Sequence, residues 1–130
     1  METQPSKAAR WTSYIISGIV ILFMLMDSIM KFIKPTEVIE ATLALGFKES
    51  HLATMGSLGL ISTLLYIYPR TAILGSVLLT GYFGGAMATH VRLDNPLFTH
   101  ILFTGYLSIM MWGGLWLRNF KLRELFPVVK

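Results

Sequence analysis

The chain alternates long apolar segments with short polar links. Four of these segments approach the length, about 20 residues, that a helix needs to cross a hydrocarbon core about 30 Å thick. They cover residues 11–32, 52–68, 71–91 and 97–117. The last two links, YPRT and RLDNP, are so short that the helices they join should be antiparallel neighbours. The pattern predicts an all-α fold, an antiparallel bundle of four transmembrane helices.

The link between the first two segments, residues 34–50, has a pattern of its own. Pro35 can open a helix and Gly46 can close one. Glu37 and Glu40 fall near the positive N-terminal end of that helix, and one of its sides is largely apolar. We predict a short amphipathic helix at the membrane interface or over the end of the bundle. A covering role is favoured over that of a lid on a ligand.

Composition supports the membrane class. Hydrophobic residues make up 54% of the 130 residues and charged residues 14%, against about 45–50% and 25% in soluble domains. Because the chain has no cysteine, thiol redox chemistry, disulfides and thiolate-bound metal or iron–sulfur sites are excluded. The net charge of +4 is interpreted through membrane topology, and no nucleic-acid partner is expected. We expect one domain, residues 1–130.

The positions of lysine and arginine predict the orientation in the membrane. One end of the bundle carries four of them, Lys31, Lys34, Lys48 and Arg92, together with most of the acidic residues. The other end carries seven: Lys7, Arg10, Arg70, Arg118, Lys121, Arg123 and Lys130. We therefore expect both termini in the cytoplasm, in a cell membrane of the bacterial cytoplasmic type. The basic C-terminal segment fits the anionic surface of a lipid leaflet.

Small residues predict where the helices pack closely, because packing drives helix association in lipid. Gly81 and Gly85 form a GxxxG pair that Ala88 extends by one turn. Gly56 and Gly59 would serve the second helix and Gly105 the fourth. The pattern indicates packed helices and does not by itself indicate a dimer.

One face of the first helix ends in charged residues. Steps of four and three residues join Ser13, Ser17, Val20, Met24, Asp27 and Lys31. An aspartate inside an apolar span is costly, so Asp27 should face protein or water and be held by Lys31, Arg92 or both. Two interpretations stay open. The pair only neutralises itself near the surface, or it belongs to a functional cluster.

Further polar residues fall in the same half of the bundle. At 100° per residue, Arg92 lies near the Gly81 and Gly85 face, and His90 lies on nearly the opposite side. His100 aligns with Thr104 on a partly polar stripe that suits the bundle interior. The candidates for a ligand or proton-relay site are Asp27, Lys31, Tyr82, Arg92, His100 and Tyr106. Weaker candidates are His51, His90 and Asp94.

These residue types favour some chemistries over others. A quinone carbonyl site or a proton relay needs an ionisable group beside hydrogen-bond donors under an apolar roof, which this set supplies. We expect no haem or metal site, since no second ligand lies at helical spacing beside His90 or His100. The sequence contains no nucleophile paired with a base, no phosphate-binding loop and no pair of carboxylates, so it does not favour a hydrolase or a nucleotide enzyme. The catalytic residues, if there are any, stay unknown.

The chain also resembles a known family. The turn "PRTAILG" and the helix end "GGAMATHVR", with "GFKES" before them and "WGGLWLRNFKLRELFP" after them, are similar to the DoxX-like family of small four-helix membrane proteins. That resemblance implies an association with membrane quinol and thiosulfate oxidation complexes, and relatives in the wider group act as assembly or maturation factors. Two hypotheses follow. The protein is a membrane subunit of a quinone-linked redox system, or it is a non-enzymatic scaffold with a membrane-protein partner or a second copy.

Overall fold

The computed structural model describes residues 5–129, and all of the regular structure in that range is helical. A 3₁₀ turn, Pro69–Thr71, precedes the fourth helix, and a π-helical segment, Leu97–Ile101, precedes the fifth. The six α-helices are α1 (Lys7–Ile33), α2 (Thr36–Ala44), α3 (His51–Ile67), α4 (Ala72–Arg92), α5 (Phe103–Arg118) and α6 (Phe120–Leu125). The predicted all-α fold is confirmed.

Four of these helices form an antiparallel bundle. Helix α1 packs against α3 and α5, and α4 packs against the same two helices, so the order around the bundle is α1, α3, α4, α5. Three segments are long and apolar enough to cross a membrane, Lys7–Ile33, Pro69–Arg92 and Leu97–Arg118. Helix α3 is apolar but has only 17 residues, in agreement with the prediction that it is the shortest of the four.

The two ends of the bundle differ in the chain segments they contain. The terminal end holds the start of α1, the link between α3 and α4, the end of α5 and α6. The loop end holds the end of α1, α2, the start of α3, the end of α4 and the π-helical segment. These two names are used below.

The interior of the bundle combines an apolar core with several buried serine and threonine side chains, and the outside is largely apolar. The face of α1 that is buried carries Ser13, Ser17, Val20, Met24 and Ser28. Large apolar side chains on its other faces, including Trp11, Ile15, Ile19, Leu22 and Met26, are exposed. Interior hydroxyls bond mainly to backbone carbonyls of their own helix, as Thr63 does to Gly59, because lipid offers no water to satisfy them.

Glycines allow the closest helix approaches, and only some of them were predicted. Gly56 and Gly59 do lie where α3 meets α1. A methyl group at Gly75 would overlap the backbone of Tyr66, and one at Gly114 would overlap the Ser17 side chain, so these two positions fix the α3–α4 and α1–α5 crossings.

The placement of the α4 glycines in an internal seam was wrong. Gly81, Gly85 and Ala88 are exposed, and a methyl group at either glycine would meet nothing within 4 Å. The α3–α4 crossing lies on a different face of α4, the one that carries Gly75. Gly105 makes ordinary contact with Met87 of α4, 3.8 Å from the position of an added Cβ.

Residues with left-handed backbone conformation close three helices at the loop end; the first is Lys34, which has φ 59° and ends α1 with a bond from its N–H to the Met30 carbonyl. Gly46 has φ 91° and follows α2, where its N–H bonds to the Leu43 carbonyl and the Phe47 N–H to the Thr42 carbonyl. Asp94 has φ 56° and follows α4 in the same way: its N–H bonds to the Val91 carbonyl, and the Asn95 N–H bonds to the His90 carbonyl. The closures by Gly46 and Asp94 are Schellman motifs. The helix predicted between the first two spans is present as α2, and Asp94 ends α4.

Helix α6 folds back under the end of α5. The Asn119 side chain accepts a hydrogen bond from the Leu122 N–H and caps α6. Arg123 donates to the carbonyls of Trp116 and Leu117, the unpaired acceptors at the C-terminus of α5. Part of the basic C-terminal segment thus closes the terminal end of the bundle.

Candidate functional site at the loop end

Asp27 and Lys31 form an ion pair near the loop end of α1. The Lys31 Nζ lies 2.5 Å from an Asp27 carboxylate oxygen, at the i, i+4 spacing that places both residues on one side of the helix. The Lys31 side chain is 15% exposed and that of Asp27 31%. Lys31 is the more enclosed partner because its Cβ packs where α3 passes at Gly56. The structure thus provides the Lys31 partner predicted for Asp27.

Tyr82 brings a third polar group to this pair from the opposite side of α3. It projects from α4, is half-buried, and is close enough to interact with both the Asp27 carboxylate and the Lys31 ammonium group. Its ring also reaches α3, 3.5 Å from where a Cβ on Gly59 would lie. A carboxylate, an ammonium group and a phenol from two helices therefore meet in the loop half of the bundle.

Two buried hydroxyls in the same half of the bundle have no hydrogen-bond partner among the described residues. They are Ser28, next to Asp27 on α1, and Thr104 in the first turns of α5. Buried hydroxyl groups are normally paired, and an unpaired one costs about 1–3 kcal/mol; Ser76, in the terminal half of α4, is a third such group. Ser28 was missed in the sequence, although it extends the Ser13, Ser17 and Met24 face by one turn.

Arg92 does not contact the ion pair, so of the two cations predicted as possible partners of Asp27 the structure places Lys31 there. The Arg92 guanidinium group donates to the Leu45 carbonyl at 2.8 Å and is exposed. That carbonyl lies at the C-terminus of α2, where acceptors are unpaired and the helix dipole favours a cation. Arg92 therefore ties α2 to the end of α4.

The two histidines contact each other, which the sequence did not predict. The rings of His90 and His100 lie 5.6 Å apart between centroids, with Asn95 bonded to His90 Nδ1 and Thr99 to His100 Nδ1. His100 is exposed rather than inside the bundle. The prediction for His100 assumed an α-helix. The segment Leu97–Ile101 is instead π-helical, with i to i+5 bonds. Because a π-helical turn is wider, its side chains point in other directions.

The remaining candidates lie apart from the ion pair. Tyr106 is 45% exposed and faces outward from α5. His51 accepts a bond from the Lys48 N–H at the start of α3 and packs against Phe47. Asp94 is exposed in the link after α4. The structure thus brings Asp27, Lys31 and Tyr82 together and leaves the other candidates at the rim.

A second polar cluster lies at the terminal end and was not predicted as a site. The Tyr66 hydroxyl donates to the Met111 carbonyl, the Ser17 hydroxyl bonds to Tyr66, and Arg118 donates to Ser17, each at 2.7 Å. These bonds join residues that are 45, 49 and 101 positions apart. No local spacing could have indicated them.

Comparisons with known proteins were consistent with the sequence motifs. The model of the DoxX-like family matches residues 15–114, which include α2, α3 and α4 and most of α1 and α5. A search of curated proteins and a search of solved structures each gave no match.

Proposed function

The chain belongs to the DoxX-like family, and from this premise we propose that it is a membrane subunit of a quinone-linked redox system. The loop-end cluster of Asp27, Lys31 and Tyr82 would hold the quinone headgroup and move its protons. The observation that supports this most is the meeting of a proton acceptor, a cation and a phenol beside the unpaired hydroxyl of Ser28.

The chemistry of a quinone matches these groups. Its two carbonyl oxygens accept hydrogen bonds, which Lys31 and Tyr82 can donate. Reduction adds two electrons and two protons and builds negative charge on those oxygens, so a nearby ammonium group stabilises the reduced form. Asp27 is then the group that passes protons between the headgroup and the surface. The electrons come from a redox centre on a partner subunit.

The charge distribution supports an orientation for this site. With the terminal end in the cytoplasm, as the positive-inside rule favours, the loop-end cluster belongs to the outer half of the membrane. The protons taken up in quinone reduction would enter from that side. We propose this orientation together with the function, and a reporter fused after Lys130 tests it, since it should be active only on the cytoplasmic side.

The proposal is tested by measuring quinone binding to the purified protein. Titration with a short-chain quinone should quench tryptophan fluorescence saturably, and Lys31→Met should weaken the affinity about tenfold or more, since a charged hydrogen-bond donor contributes about 1.5–3 kcal/mol. Lys48→Met, which changes an exposed loop-end lysine, is the matched control and should bind as the wild type does. Equal affinity for wild type and Lys31→Met contradicts the proposed site.

A second function, a non-enzymatic scaffold for a membrane complex, is favoured by one observation. Gly81, Gly85 and Ala88 form a small-residue surface on the outside of α4, where the described chain offers nothing to pack against. Such surfaces let another helix approach closely. Gly85→Leu should then abolish co-purification of a membrane partner while leaving quinone binding unchanged, and the reverse result favours the redox subunit.

A further inference from the structure

A cavity of about 480 Å³ opens at the terminal end of the bundle, far from the proposed quinone site. Helix α1, the end of α3, the start of α4 and the end of α5 form its walls. Ile21, Ala72 and Leu115 contribute apolar surface. The polar residues that line it are Arg10, Tyr14, Ser17, Tyr66, Arg118 and Asn119.

Arg118 is held in the wall of this cavity by three contacts. Its Nη1 atom donates a hydrogen bond to Ser17 Oγ, and the ring centroids of Tyr14 and Tyr66 each lie 5.9 Å from the guanidinium carbon. A guanidinium group has five N–H donors in a rigid plane. Because the described residues use one of them, the others are available to a ligand in the cavity.

The groups behind Arg118 are arranged before any ligand arrives. The Tyr66 hydroxyl donates its hydrogen bond to the Met111 carbonyl, so the Ser17 hydroxyl must donate to the Tyr66 oxygen and accept from Arg118. This chain of bonds has one direction and joins α5, α1 and α3. It fixes the guanidinium group in place, so ordering that side chain costs little when a ligand binds.

Among the described residues that line the cavity, the charged ones are Arg10 and Arg118. Arginine forms paired hydrogen bonds with phosphate and carboxylate oxygens. We propose that this cavity binds the phosphoryl headgroup of an anionic lipid, with Arg118 as the main contact and the apolar wall against the start of the acyl chains. This inference is independent of the proposed quinone function.

A substitution at Gly18 should fill the cavity while keeping the hydrogen bonds of Arg118, Ser17 and Tyr66. Gly18 lines the cavity, and a Cβ built there meets nothing within 4 Å. Gly18→Leu therefore places a side chain in the space of the ligand and keeps both arginines. Gly84→Leu is the matched control, because Gly84 on α4 is also open and does not line the cavity.

Native mass spectrometry of the full chain tests the proposal with two lipids. The protein is released from micelles containing equal amounts of phosphatidylglycerol and phosphatidylcholine. We expect retained phosphatidylglycerol on the wild type and Gly84→Leu, and about a tenfold lower occupancy on Gly18→Leu and Arg118→Gln. Equal retention of phosphatidylglycerol by wild type and Gly18→Leu, or equal retention of both lipids by the wild type, overturns the proposal.

A second experiment, with inorganic phosphate, shows whether the cavity binds a lipid headgroup or a soluble anion. The melting temperature of the protein is measured in lipid-free detergent with and without inorganic phosphate, against sodium chloride of equal ionic strength. If phosphate raises it for the wild type but not for Arg118→Gln, while neither lipid is retained, the oxyanion site stands and its source is a soluble phosphate. If phosphate has no effect and no lipid is retained, the cavity is not an anion site.

Discussion

The polar side chains at the two ends of the bundle differ in where their hydrogen-bond partners lie in the sequence. At the loop end the side-chain pairs are close in sequence, Lys31 with Asp27, His51 with Lys48, and Asn95 with His90, and one longer-range bond, from Arg92 to the Leu45 carbonyl, attaches α2 to α4. At the terminal end, besides the local bonds of α6, a chain of bonds joins distant helices, Ser17 with Tyr66 and Arg118 with Ser17. A local pair can rearrange without moving a helix, whereas the long-range chain holds three helices together. The terminal end should therefore contribute more to stability and the loop end be freer to respond to a ligand.

The largest expected effect comes from the helix crossing at the terminal end. Gly114→Ala puts a methyl group on the Ser17 side chain and 3.2 Å from the Ser13 carbonyl oxygen, so α1 and α5 must separate. The free energy of unfolding in mixed micelles should fall by about 2–3 kcal/mol. The control, Gly84→Ala, adds a methyl group in open space and should keep or raise stability, because alanine favours a helix more than glycine does. Equal effects at both positions would contradict the close crossing.

Removing the hydroxyl at the centre of the terminal cluster should have the next largest effect. Tyr66 is 1% exposed, and its hydroxyl bonds to both Ser17 and Met111. Tyr66→Phe should lower the free energy of unfolding by about 1–3 kcal/mol, since Ser17 and Arg118 lose their support. Tyr68→Phe changes an exposed tyrosine two positions later and should be neutral. If both variants are as stable as the wild type, the chain of hydrogen bonds through Tyr66 does not stabilise the bundle.

The ion pair at the loop end should matter less to stability. Asp27→Asn leaves Lys31 without its counter-ion, and since both side chains retain some exposure the loss should be about 1 kcal/mol. Adding Lys31→Met should restore part of it, because the uncompensated charge is then gone. Thermal melts of the single and double variants give the comparison. A loss larger than that of Tyr66→Phe would reverse the proposed order of the two ends.

The smallest effect is expected where α2 joins the bundle. Arg92→Gln removes a cation from the C-terminus of α2 and its bond to the Leu45 carbonyl. The global melting temperature should change little, while amide hydrogen exchange in α2 should become about three- to tenfold faster, the equivalent of about 0.5–1.5 kcal/mol. Arg70→Gln, at the terminal end, is the control and should leave α2 unchanged. Unchanged exchange in both variants would mean that Arg92 does not hold α2.

The residues differ in how far the sequence could predict them, for physical reasons. The spans, the helix in the first link and the Asp27 and Lys31 pair follow from periods of 3.6 residues and i, i+4 spacing, which are local. The contact of Arg118 with Ser17 depends on how α1 and α5 cross, which a single helix does not encode. The α4 glycines were misplaced because a GxxxG pattern reports a surface suited to packing, not which helix packs there. His100 was misplaced because nothing local marks the wider turn of the π-helical segment.

The central claim, that the quinone headgroup binds at the loop end rather than in the terminal cavity, is tested most directly by photoaffinity labelling. The full chain in lipid nanodiscs is irradiated with an azidoquinone, and the labelled peptides are identified by mass spectrometry with excess unmodified quinone as competitor. If the headgroup binds at the loop end, competed labels should appear on the segment of α1 around Asp27 and Lys31 and on α4 around Tyr82. Competed labels confined to Tyr14, Gly18 or Tyr66 would place the quinone in the terminal cavity and contradict it.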